Sequence, residues 1–179
     1  MYVSNYVSTF LDSPTTSLIG DGSVMITNSS YGDGCNAGYT FNARTVDTQT
    51  NNFENVLHVF SCGNSNGNNC GYGAGTQWGN ITGGHKQGKN VIATANVFFD
   101  GTLVSSSSRG PAHDGRIKPD ITAHGQGQIS TAANNGYQAF GGTSGILLQL
   151  KTSLLHNLWR IYPKNLLKCV MFLAKKLNP

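Results

Sequence analysis

Apolar residues in this chain come in short bursts separated by long polar stretches. Val24-Met25-Ile26-Thr27 is the first burst, and it runs out into Asn28-Ser29-Ser30-Tyr31-Gly32-Asp33-Gly34. Val56-Leu57-His58-Val59-Phe60 is the second, and it closes on a Gly/Asn cluster between Gly63 and Gly75. Asn90-Val91-Ile92-Ala93-Thr94-Ala95-Asn96-Val97 is the third. Short apolar runs bounded by turn formers predict buried strands. Residues 42–54 are polar and free of glycine, which predicts a surface helix between the first two strands. Strand, helix, strand is the order of a βαβ unit, so the expected class is α/β around a parallel sheet. Ligands of such sheets bind at the C-terminal strand ends, where the Gly/Asn loops fall. From Ile146 the period changes: Ile146, Leu147, Leu150, Leu154, Leu155 and Leu158 recur at helical spacing, as do Leu166, Leu167, Val170, Met171 and Leu173. The expected tail is therefore two helices separated by Pro163.

Composition divides the chain at the same place. Only 11% of the 179 residues are charged, and all 23 glycines precede residue 146. Residues 1–150 hold six Lys/Arg against eight acids, a net of −2; residues 151–179 hold six Lys/Arg and no acid, a net of +6. The overall +4 is thus a property of the tail. A body of slightly negative charge excludes a nucleic-acid-binding module, which needs a basic face, and the basic tail reads as a solvated helix surface. No run of eighteen apolar residues predicts a membrane span. The organisation expected is a body over 1–145 and a helical tail over 146–179, a shortened continuation of the same domain.

Met1 is followed by Tyr-Val-Ser-Asn-Tyr, with neither a basic nor a long apolar signal region. The Gly-, Asn-, Ser- and Thr-rich body nevertheless has an extracellular character, so the expectation is that the natural start lies upstream. Cys35 and Cys70 both sit in polar, glycine-containing loops, which suits a disulfide in an oxidising compartment. Cys62 ends an apolar strand and reads as a small buried thiol, and Cys169 falls in the expected tail helix without an evident partner. The cysteine spacings fit no zinc pattern.

The richest chemical signal is Gly141-Gly142-Thr143-Ser144-Gly145, followed at once by a helical pattern. A serine in a tight glycine turn exposes its hydroxyl, and the helix N-terminus behind it favours developing negative charge. Ser and Thr are also ordinary helix caps, so both roles are open on this pattern alone. In Ser61-Cys62-Gly63-Asn64, an Asn carboxamide at a strand end can donate to an oxyanion, or can simply turn the chain. Ser107-Ser108-Arg109-Gly110-Pro111 and Lys118-Pro119-Asp120-Ile121-Thr122-Ala123-His124-Gly125 read as turns around a short strand.

In this order these segments resemble the C-terminal two-thirds of a subtilisin-like serine peptidase (subtilase) domain, over about residues 20–145. The stretch Val24 to Gly32 resembles the strand and Asn-x-Ser-x-Gly wall of its cleft, and Val59 to Asn64 the strand ending in Ala-Gly-Asn. Ser107 to Pro111 resembles the Ser-Ser-x-Gly-Pro turn, Lys118 to Gly125 the Lys-Pro-Asp segment, and Gly142-Thr143-Ser144 the Gly-Thr-Ser of the nucleophile. The resemblance implies a three-layer parallel-sheet fold, here incomplete at its N-terminus, and peptide-bond hydrolysis through an acyl-enzyme. It implies Ser144 as nucleophile and Asn64 as oxyanion donor. Ser30, Tyr31 and Gly32 would pair with the substrate backbone, and Ser61, Cys62 and Gly63 would line the opposite wall, with Thr143 beside them. Family members often bind calcium, although no Asp-rich ligand loop is evident in this sequence.

Two departures accompany the resemblance. The family's Asp-[Ser/Thr]-Gly and His-Gly-Thr-His segments, which supply the orienting acid and the base, do not occur in this sequence. His58, His85, His113, His124 and His156 all stand in other contexts, and Asp21-Gly22 and Asp100-Gly101 read as turns. After Ser144 the family's Met/Ala-rich stretch and Pro are replaced directly by Gly145-Ile146-Leu147-Leu148, as though an intervening turn were deleted. The expectation is a secreted serine endopeptidase fragment lacking two members of its triad and inactive alone. The alternative is a non-catalytic binding or adhesion module on the same fold.

Overall fold

A computed structural model describes residues 2–4, 13–31, 34–35, 38–70, 76–146 and 168–173. Its elements are β1 (Tyr2–Ser4), α1 (Ser13–Gly20), β2 (Val24–Ser30), α2 (Phe41–Asn52), β3 (Leu57–Ser61), a 3-10 turn (His85–Gln87), β4 (Ile92–Val97), β5 (Ile121–His124), β6 (Gln128–Thr131), β7 (Tyr137–Phe140) and β8 (Lys168–Leu173). Six strands form one sheet in the order β1-β8-β2-β3-β4-β5, with every neighbouring pair parallel. The parallel α/β class and the three strands read from the apolar bursts are thus present, and α2 fills the polar spacer.

Burial on both faces explains why β2, β3 and β4 carry continuous apolar runs rather than alternating ones. Ile19, Val24, Tyr31, Val46, Val56, Phe60 and Val91 form one core cluster, under α1 and α2. Ile26 and Val59, with Met25, Leu57 and Ile92 packed on them, form a second. Val24 and Ile26 would share a face by strict alternation, yet they join different clusters; a register shift in the β2–β8 ladder lies between them. A bulge reverses alternation in this way.

α2 turns Ala43, Val46 and Asp47 inward. Asp47 is buried because its carboxylate accepts the N–H groups of Lys89 (2.9 Å) and Asn90 (2.8 Å) and the hydroxyl of Tyr39 (2.7 Å). It thereby ties α2 to the chain entering β4. The Lys-Pro-Asp segment performs a related task at the other side of β4. Lys118 Nζ donates to Val91 O (2.8 Å) and to the Asp120 carboxylate (2.6 Å), which also accepts Ala93 N–H (2.7 Å).

The tail differs from its expected helices in one place. Residues 168–173 form strand β8, inserted between β1 and β2, where a helix over 166–173 was expected. Lys168-Cys169-Val170-Met171-Phe172-Leu173 is a short uninterrupted apolar run after its first residue, and such a run satisfies strand and helix patterns alike; pairing with β2 on one side and β1 on the other decides for the strand. Cys169 therefore lies in a strand. The apolar helical positions 147–158, Pro163 and His156 lie outside the described residues. The helix after the glycine turn is described over 143–146.

One glycine in the matched turns is there because nothing larger fits. A Cβ on Gly110 would lie 1.9 Å from the backbone oxygen of Lys118, which cannot swing aside as a side chain would. Gly110→Ala is expected to cost about 1–3 kcal/mol, the usual range for forced overpacking. Gly67→Ala, where no atom lies within 4 Å of the added carbon, is expected to leave the urea midpoint unchanged. Equal midpoints for the two variants would overturn the steric account.

Candidate active site

The C-terminal ends of β2 and β3 lie side by side, their parallel ladder running as far as Ser29 opposite Phe60. Beyond that pair the two strands lead into Ser30-Tyr31 and Ser61-Cys62-Gly63-Asn64. The β6–β7 hairpin, turned by Asn134 and Asn135 at φ 57° and 56°, then returns the chain to the glycine turn of residues 141–145. Three separate parts of the sequence converge there: Ser30, Asn64 and Ser144.

Ser30 Oγ–H donates to Ser144 Oγ, and Ser144 is half-buried. Asn64 Oδ1 accepts both the backbone N–H (3.1 Å) and the hydroxyl (3.2 Å) of Thr143. A backbone N–H can only donate, so the carboxamide oxygen is fixed on Thr143, while the NH₂ lies beside Gly142, where a Cβ would sit 3.2 Å from Nδ2. Asn64 is exposed, and its NH₂ has no protein acceptor among the described residues. Thr143 is buried and serves as the orienting partner of Asn64.

The turn itself is held from behind. Gly142 takes φ +91°, a left-handed conformation that glycine adopts without strain. Its N–H donates to Gln126 Oε1 (3.2 Å), which also accepts from Asn96 Nδ2 (3.3 Å). A Cβ on Gly145 would lie 2.5 Å from Gly125 O, so the first helical turn rests directly on the backbone that follows β5. Ile146 is fully buried and anchors the same turn in the interior.

On the wall opposite Ser30, Cys62 points inward: its thiol donates to Ser108 O (3.2 Å), and burial pushes its pKa up to about 11. Gly63 sits at φ +111°, with the Thr82 side chain filling the space a Cβ would need. Ser61 is buried as the last residue of β3. Cys62 is fully buried, its N–H donating to Thr94 O (2.9 Å) and its own oxygen accepting the N–H of Thr82 (2.9 Å). Tyr31 likewise turns its ring into the core, where its hydroxyl meets His85 Nδ1 at 2.5 Å. Gly32 lies outside the described residues.

The imidazoles are placed away from this chemistry. His58 and His85 are both fully buried, more deeply than the surface or strand positions expected of them. His58 Nδ1 meets Thr27 Oγ1 at 2.6 Å, and burial followed by the charge of His85 lowers its pKa to about 3. His85 stacks on Phe60 at 5.9 Å, and burial followed by the Lys86 ammonium lowers its pKa to about 4. His124 ends β5 with its Nε2 on Gln126 O (2.8 Å). No imidazole or carboxylate among the described residues hydrogen-bonds Ser144. Asp21 and Asp100 stand in turns, each accepting the N–H two residues on. For calcium, no group of three or more acidic, His or Cys side chains among the described residues could hold a metal ion.

The Cys35–Cys70 disulfide is present, with the two Cα atoms 5.6 Å apart. No helix among the described residues is long and apolar enough to cross a membrane. Sequence reasoning missed Gln126, Asn96, Lys86 and Thr82. The one available signal for Gln126 was its place directly after the matched Ala-x-Gly, facing the nucleophile turn.

Ser144, Asn64 and Ser30 thus meet at the C-terminal strand ends of a parallel α/β sheet, where folds of this class place their ligands. Residues 3–145 match the subtilase family model, and the chain belongs to that family of serine peptidases. Among solved structures it is similar to the prenylagaramide maturation protease PagA, with a TM-score of 0.64 and 19% identity over 88% of this chain and 54% of that one. It is also similar to sphericase, with a TM-score of 0.56 and 25% identity over 83% of this chain and 47% of that one. A 40-residue stretch, 22% of this chain, is 50% identical to the serine protease/ABC transporter B family protein tagD of Dictyostelium discoideum and spans 2% of it. The chain thus spans about half the length of the solved structures it matches and a small part of tagD.

Proposed function

We propose that this chain is the cleft-and-nucleophile part of a secreted subtilisin-like serine endopeptidase. Ser144 Oγ adds to the carbonyl carbon of an extended polypeptide, and the Asn64 NH₂ donates to the oxygen on which charge develops. The substrate backbone would pair alongside Ser30, Tyr31 and Gly32, with Ser61, Cys62 and Gly63 opposite. The proton leaving Ser144 needs an imidazole base oriented by a carboxylate, which a segment outside these 179 residues would supply. Without it the isolated chain is expected to hold substrate but turn it over slowly. The disulfide supports an oxidising, extracellular location. The observation that carries the reading is the Thr143-fixed Asn64 carboxamide beside Ser144.

The second reading, a binding module on the same fold, is favoured by one observation: the side-chain partner of Ser144 is a hydroxyl, that of Ser30, rather than an imidazole. Fluorescently labelled peptide boronates separate the two, because boron forms a tetrahedral adduct with a nucleophilic serine oxygen and plain peptides do not. The wild-type chain is expected to bind the boronate at least about tenfold more tightly than the matching plain peptide, about 1.4 kcal/mol. Ser144→Ala should erase that difference and Asn64→Leu should reduce it. Equal binding of both ligands by the wild type would favour the binding module; binding of neither would refute both readings.

A further inference from the structure

Behind the cleft lies a lysine that the peptidase chemistry does not use. Lys86 is 0% exposed, and a lysine is almost never so deeply buried unless its ammonium is held. The ammonium donates to the backbone oxygen of Tyr31 and to Thr82 Oγ1, the latter at 2.8 Å. It also lies 5.5 Å from the centre of the Tyr31 ring, within cation–π range. Thr82 carries the connection onward: its hydroxyl donates to Cys62 O (3.3 Å), and its N–H donates to the same oxygen (2.9 Å). A continuous chain of hydrogen bonds therefore runs from Tyr31 on one wall to Cys62 on the other.

The position of this chain matters because the two walls lose each other's support there. The β2–β3 ladder ends at Ser29 opposite Phe60, and Tyr31 and Cys62 lie beyond it. Past that point Lys86 and Thr82 do for the walls what ladder bonds do within the sheet. The strut is rooted on the 3-10 turn His85–Gln87, whose flanking members are also engaged, His85 with the Tyr31 hydroxyl and Gln87 Oε1 with His113 N–H (3.0 Å). Gly63 completes the fit, since a Cβ there would lie 2.3 Å from Thr82 Oγ1.

We propose that Lys86, acting through Thr82, is a positioning residue that fixes the separation of the two cleft walls and so sets the size of substrate side chain admitted between them. The inference rests on the cleft reading above. A buried ion pair or ammonium is a weak source of net stability compared with an apolar side chain of similar volume, and a geometric role is the better account of its retention.

Selectivity is the readout, because loss of stability alone weakens all ligands in proportion. Dissociation constants are measured for peptide boronates bearing Ala, Leu or Phe next to boron, on the full chain. Lys86→Met, similar in length and without the charge, is expected to compress the best-to-worst ratio by about tenfold, within the range that pocket size controls. Thr82→Val should do the same by cutting the chain at its next link, and Thr82→Ser should restore the wild-type ratio. The Lys86→Met/Thr82→Val pair should compress it no further than either alone, as residues acting in one chain do. Should Lys86→Met fail to fold, the Thr82→Val and Thr82→Ser pair carries the test by itself. Wild-type binding with an unchanged ratio in folded Thr82→Val overturns the strut while leaving the peptidase reading intact. No boronate binding by the wild type overturns both.

Discussion

Reducing the Cys35–Cys70 disulfide is expected to lower the unfolding free energy by about 3–4 kcal/mol, the loop-entropy value for a closed loop of this size. The two cysteines are 35 residues apart, and the loop they close contains α2, β3 and the Asn64 strand end. Opening it releases that whole segment in the unfolded chain while leaving its folded packing in place. With a urea dependence of about 1–3 kcal/mol per molar, the midpoint should fall by about 1–4 M. The Cys35→Ser/Cys70→Ser variant should behave as the reduced protein does, with an unchanged slope. Cys62 provides an internal control: buried against Ser108 O and with its pKa raised, its thiol should resist alkylation until the protein unfolds. A midpoint shift below about 0.3 M on reduction would overturn the entropic account, since even the steep slope of about 3 kcal/mol per molar converts it to under about 1 kcal/mol.

The parts of this fold legible in the sequence are those in which one local pattern admits one structure. β2, β3 and β4 are apolar runs closed by Gly/Asn loops, and α2 is a glycine-free polar stretch; both classes appear where the pattern puts them. β8 was misread because Cys169-Val170-Met171-Phe172-Leu173 satisfies two periods at once, and its pairing with β2 spans more than a hundred residues. The β6–β7 hairpin gave no signal because Ile129 and Tyr137 are 72% and 78% exposed, and Phe140, half-buried at its end, is too little to mark a buried face. Asn64 and Ser144 each stood out singly through the glycines beside them, since a backbone that must turn sharply announces itself in composition, and only the family resemblance joined them. What the pattern could not convey is how Asn64 is oriented. That depends on Thr143, 79 residues away, and the same holds for Lys86, whose partner Tyr31 is 55 residues distant. Buried polar side chains are specified by such distant partners, so local periodicity carries no trace of them.

The same buried network makes the protein acid-labile in a defined window. His58 and His85 have folded pKa values near 3 and 4, against about 6.5 for an imidazole in an unfolded chain. At pH 7 both are neutral in the folded state and mostly neutral in the unfolded one, so the difference costs little. As pH falls below 6.5 the unfolded chain takes up protons that the folded one refuses, so stability drops, and it continues to drop until the folded values are reached. Once the unfolded imidazoles are fully protonated, each contributes a slope of about 1.4 kcal/mol per pH unit. Asp100 and Asp114 have lowered pKa values, so what they contribute is lost only as pH falls below the ordinary carboxylate range, outside the upper part of this window. Between pH 6 and 4.5 the slope of unfolding free energy should therefore approach that of two protons. His85→Phe keeps an aromatic ring on Phe60 and removes one titrating group, and His58→Gln removes the other; each should reduce the slope by about one proton whatever its effect on stability at pH 7. Urea titrations at closely spaced pH values read the slope directly. A slope unchanged in both variants would place the acid sensitivity elsewhere, whereas halving it in each would tie acid unfolding to the two buried imidazoles, His58 and His85.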